Sequence, residues 1–123
     1  MQLTSKDISL LVTFPCIMAA GQILFKLTAM RTKGLSLYPA FQTMAVQPIF
    51  YLALAVYGAA TVIWIWLLSR YSLAIAYPFA VLAVIFVPLL ESVFFGSRTT
   101  PLYWLGMALV ITGVLIITRA QAN

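Results

Sequence analysis

Two ionisable side chains lie inside long apolar stretches, Lys26 and Glu91. A glutamine, Gln22, stands one helical turn before the lysine. An ammonium with a neighbouring carboxamide can hold an anion and hydrogen-bond to what is attached to it. A carboxylate could instead carry a proton or balance a cation. Charge inside a bilayer is costly, about 2.5–3.5 kcal/mol at a helix centre on insertion scales, so such residues face protein or water and mark functional positions. Further chemistry is scarce. There is no histidine, and Cys16 is the single cysteine, expected as a small buried hydrophobe. That composition offers no transition-metal ligand set and calls for no cofactor. With no carboxylate pair and no glycine-rich phosphate loop, the residues point away from an enzyme.

The elements that must position these groups follow from composition. The chain has 123 residues, 64% hydrophobic and 7% charged. Soluble domains carry about 25% charged residues, so this chain is expected to lie in a membrane. Its net charge of +5 comes from seven basic residues against two acids. The basic residues flank apolar runs, as membrane anchors do, and form no stripe suited to nucleic acid. Four stretches free of charge approach the roughly 20 residues a spanning helix needs: Ile8–Phe25, Ile49–Ser69, Tyr71–Leu90 and Thr99–Thr118. Extended through their flanks, they predict an all-α protein of four transmembrane helices at about 8–30, 48–69, 72–96 and 101–119, in one domain. The first run, with Lys6 before it and Ala19-Ala20-Gly21 near its end, could pass for a signal peptide. Its spanning length favours a retained helix.

The connection from Arg31 to Gln47 is the longest. Tyr38, Phe41, Met44 and Ala45 fall at helical spacing there, which predicts a short interfacial helix. Lys6, Arg70 and Arg119 lie on one side, Arg31, Lys33 and Arg98 on the other. This balance gives no orientation. Trp64, Trp66 and Tyr71 are expected to mark one interface, Tyr103 and Trp104 the other. The first and third helices run in the same direction, so Lys26 and Glu91 reach similar depth, as an ion pair or as two walls of one vestibule. Pro78 and Pro88 are candidate hinges, since each removes a backbone hydrogen bond. Gly106, Leu109, Val110 and Gly113 fall on roughly one face of the fourth helix and suit close packing against a second copy or a homologous small subunit.

The segments "YSLAIAYPFA" and "ESVFFGSRTTPLYWLGMALVITGVLII" resemble the drug/metabolite transporter superfamily, whose small members have four helices. Two branches compete. The small multidrug resistance exporters carry a glutamate eight residues before a lysine in the first helix, and a glycine five before it. Gly21 and Lys26 match that glycine and lysine, but Met18 holds the glutamate's place. Methionine binds no proton, which argues against proton-coupled export of cationic drugs. The subunits of the aminoarabinose-phosphoundecaprenol flippase are more similar. They share Ala-Gly-Gln-x-x-x-Lys, here Ala20, Gly21, Gln22 and Lys26, and Ala-Tyr-Pro, here Ala76, Tyr77 and Pro78. The resemblance implies a small transporter of the bacterial inner membrane, dimeric, moving a lipid-linked sugar phosphate among membrane lipids. Lys26, Arg31 and Lys33 would then meet the phosphate, Gln22 and Tyr77 the sugar, with Glu91 at the same rim. A drug exporter and a non-transporting assembly subunit are the other readings.

Overall fold

The computed structural model describes residues 3–122. Six helical segments follow one another: α1 Ser5–Met30, α2 Leu37–Ala45, α3 Pro48–Leu68, α4 Leu73–Ala80, α5 Ala83–Phe95 and α6 Pro101–Ala122. Four stretches are long and apolar enough to cross a membrane: Ser5–Met30, Pro48–Leu68, Leu73–Phe95 and Pro101–Ala120. The chain is thus a small four-helix membrane bundle. The short helix expected in the long connection is α2, which buries no residue within the chain and exposes Leu37, Tyr38 and Phe41.

Local chemistry explains the boundaries. Thr4 caps α1 through a capping box: its hydroxyl accepts from the Asp7 amide at 3.2 Å, while the Asp7 carboxylate accepts from the Thr4 amide at 2.9 Å. After α1, Gly34 turns the chain at φ 83°. Pro48 opens α3, where a missing amide proton costs nothing. Gly96, at φ 67°, ends α5 in a left-handed cap. Hydroxyls inside the spans turn back onto their own helices. Thr13, Thr28, Thr61, Thr112 and Thr118 each donate to the carbonyl four residues earlier, at 2.7–3.0 Å. Lipid offers no other partner, so this arrangement removes the cost of an unpaired group.

The third span is one helix by expectation and two in the structure. The break lies at Val81 and Leu82, between Pro78 and Pro88 and at neither. Leu82 bonds back to Phe79, Val84 to Val81 and Ile85 to Leu82, at 2.9–3.0 Å. This three-residue spacing is a tighter turn that joins α4 to α5. Proline 88 has no amide proton to give Val84, so the chain near the break loses a rung of its ladder.

Packing is uneven along the bundle. α1 and α3 run antiparallel and meet along most of their length. Phe14 stacks on Trp64 with ring centroids 4.7 Å apart, and Phe25 lies 5.2 Å from Tyr57. At one end Leu11, Phe14, Ala60, Leu67, Tyr71, Ile75, Ala76 and Phe79 form the buried core. There the Tyr71 hydroxyl donates to Asp7, tying the start of α1 to the turn after α3. Tyr71 is 5% exposed, and this bond, with burial, pushes its ionisation above the ordinary tyrosine range. Trp64 and Tyr71 therefore belong to the core seam, whereas Trp66 lies under the Arg70 guanidinium at 4.5 Å as an anchor would. Cys16, expected to be buried, is exposed on α1, because Phe14 and Pro15 take the inward positions of that turn. α6 packs chiefly on α4, burying Met107 and Val114 and leaving Leu105, Leu109, Leu115 and Ile116 exposed.

Candidate functional site

α1 and α5 are parallel, as two chain reversals require, and a cleft of about 520 Å³ opens between their last turns. Lys26, Ala29, Met30, Lys33, Glu91, Phe95 and Ser97 line it. The vestibule expected for Lys26 and Glu91 is therefore present. Among the described residues no ion pair joins the two. Two ammonium groups face one carboxylate, so the cleft is net positive and a polar wall for an anion. Lys33 enters from the turn after α1, which ends at Gly34.

One turn inward along both helices lies a second cavity of about 340 Å³, lined by Met18, Gln22, Ala83, Val84, Val87, Pro88 and Tyr103. Gln22 is held by α3: its Nε2 donates to the Tyr57 hydroxyl at 3.0 Å. The Tyr57 ring can lie this close to α1 because residue 21 is glycine. A Cβ there would stand 2.9 Å from Tyr57 Cδ2. From α6 the Tyr103 hydroxyl donates to the Val84 carbonyl at 3.4 Å. Val84 is four residues before Pro88, so this is the carbonyl that proline leaves without its helical donor.

A third cavity, of about 350 Å³, continues from the second through Met18, Ala83 and Val84, which line both. Phe14, Trp64, Tyr77, Ala80 and Val81 complete it, and it is apolar. The three spaces follow one another along the seam of α1 with α4 and α5, the rim cleft sharing no lining residue with the other two. The first is charged, the second neutral and hydrogen-bonding, the third aromatic.

The sequence-derived site is thus divided. Lys26, Lys33 and Glu91 come together. Gln22 stands one turn deeper, in the middle cavity. Tyr77 lines the aromatic end, a different cavity from that of Lys26, and Arg31 is exposed outside the cleft lining. Pro88 borders the middle cavity and Pro78 is buried. Gly106 and Gly113 have no atom within 4 Å of an added Cβ, and Leu109 is 68% exposed, so the α6 face is open within this chain. Tyr57 and Tyr103 were missed. The spacing of Gly21 and Gln22 against Tyr57 leaves no local pattern, and Tyr103 reads as an interfacial anchor until its contact with Val84 is seen. Met18, where the exporters keep an acid, lines both inner cavities with a thioether.

Comparison with known proteins agrees in part with this geometry. No family model matches the chain, and no solved structure matches it. The chain is similar to the probable 4-amino-4-deoxy-L-arabinose-phosphoundecaprenol flippase subunit ArnE of Salmonella typhimurium and to its counterparts in Salmonella newport and Salmonella heidelberg. Each is 38% identical over 69 residues, 56% of this chain. The match spans 62% of the length of these relatives.

Proposed function

We propose that this protein is a flippase subunit that moves an anionic amphiphile, a lipid-linked sugar phosphate, across a bacterial inner membrane. It works as a dimer with a second copy or with a homologous small subunit, joined through α6. The net-positive rim cleft carries this reading, since Lys26 and Lys33 offer ammonium donors to a phosphate there. The similarity to subunits named for an aminoarabinose-phosphoundecaprenol flippase supports the substrate class.

A proton-coupled exporter of cationic drugs is disfavoured by Met18, which places no titratable group at the junction of the two inner cavities. Glu91 shares its cleft with two lysines, a poor setting for a cation.

The test is transport by the protein reconstituted with its partner subunit into vesicles holding the lipid-linked sugar phosphate. Lys26→Ala should weaken substrate affinity about tenfold or more, the size of a lost charge-assisted hydrogen bond of roughly 1.5–3 kcal/mol. Expression and insertion should be unchanged. Unaltered transport by Lys26→Ala would overturn the proposal.

A further inference from the structure

The middle cavity differs from both of its neighbours. It carries no charge among its lining residues, yet three polar groups border it: the Gln22 carboxamide, the Tyr103 hydroxyl and the Val84 carbonyl. Val84 is the midpoint of the third span, Leu73–Phe95. Bare backbone carbonyls are avoided at that depth, because nothing in lipid pairs with them. Here Pro88 withholds the helical donor, and the replacement comes from another helix at 3.4 Å. That separation is long for an O–H···O bond, whose usual range is about 2.5–3.0 Å. Gln22 is anchored through Nε2 to Tyr57, and among the described residues its Oε1 accepts no bond. The cavity thus holds one weakly satisfied donor–acceptor pair and one spare acceptor.

We infer that this cavity is a binding station for the hydroxyl groups of a sugar, with Tyr103 as its specificity-determining donor. A sugar hydroxyl both donates and accepts. It can replace the Tyr103–Val84 bond as the two groups part, accepting from the phenol and donating to the carbonyl, while a second hydroxyl donates to Gln22 Oε1. The one long bond is then replaced by two of ordinary length, and Gln22 Oε1 gains a donor. A phosphate would find no cation here, and an alkyl chain would leave the carbonyl unpaired. As a step in transport, the inference rests on the proposed function: while the phosphate stays at the Lys26 rim, the sugar attached to it would find hydrogen bonds one turn further in, where neutral donors are tolerated.

The test is equilibrium binding of radiolabelled dodecyl glucoside to the full-length protein in nanodiscs, with empty nanodiscs as background and dodecanol and dodecyl phosphate as companion probes. Saturable glucoside binding is expected, with no saturable dodecanol binding. Tyr103→Phe removes the donor. Pro88→Ala restores the amide that occupies the Val84 carbonyl, and alanine is compatible with the helix. Each should weaken glucoside binding by roughly three- to tenfold, the value of one neutral hydrogen bond, and leave dodecyl phosphate binding as it was. Glucoside affinity unchanged in both variants overturns the inference, as does dodecanol binding equal to that of the glucoside. Dodecyl phosphate separates the two readings. Its failure to bind the wild type counts against the charged rim and the proposed function. Tyr103-dependent glucoside binding would stand without it.

Discussion

Gln22 Nε2 lies 3.0 Å from the hydroxyl of Tyr57, and the residue before Gln22 is the glycine on which the Tyr57 ring rests. One short stretch of α1 thus sets both the spacing of α1 from α3 and the direction of the carboxamide that borders the middle cavity. Interhelical hydrogen bonds in membranes average about 0.6 kcal/mol, so close packing carries more of this contact than the bond does.

Gly21→Ala should therefore be damaging. Its Cβ would meet Tyr57 Cδ2 at 2.9 Å, an atom at the base of a ring held by Gln22. Overpacking of this kind costs about 1–3 kcal/mol. A lowered Tm in detergent is expected, with Tyr57→Phe showing a much smaller loss. An unchanged Tm for Gly21→Ala would show that the seam is looser than the structure has it.

Glu91 should act as a brake on anion binding. It shares the rim cleft with Lys26 and Lys33, and its carboxylate repels a phosphate there. Glu91→Gln should tighten dodecyl phosphate binding by roughly two- to fivefold, the size of a screened charge interaction. The gain should shrink at high salt. A cation exporter predicts the reverse, loss of substrate-driven proton release in the same variant, so calorimetry with both substrate classes decides between them.

The Asp7–Tyr71 bond closes the end of the bundle opposite the cleft. A tyrosine whose folded pKa is raised contributes stability that is complete below its unfolded value, about 10, and is lost as pH rises through the folded value. The core end should thus hold at neutral pH and loosen only in alkali, above the ordinary tyrosine range. Tyr71→Phe should lower Tm at pH 7 and flatten this alkaline limb. A wild-type limb that persists in Tyr71→Phe would assign it to another group.

The exposed side of α6 should be an interface. Leu109, 68% exposed, lies between Gly106 and Gly113, where no described atom would meet an added Cβ. Leu109→Cys in a Cys16→Ser background should give disulfide-linked dimers on mild oxidation in membranes, read on a non-reducing gel. If only monomer is seen, with or without the homologous subunit, α6 faces lipid.

The four spans, the short helix after α1 and the sharing of one cleft by Lys26 and Glu91 were legible in the sequence. Apolar length is a sum over neighbours along the chain, and two reversals suffice to make α1 and α5 parallel. What only the tertiary structure decided is which side chains face one another. Tyr57 beneath Gly21, Tyr103 against the carbonyl that Pro88 strips of its donor, and Tyr77 in a different cavity from Lys26 all depend on helix rotation and register. Those are set by close packing between segments distant in sequence, and in a chain almost uniformly apolar no periodic contrast announces which face turns inward.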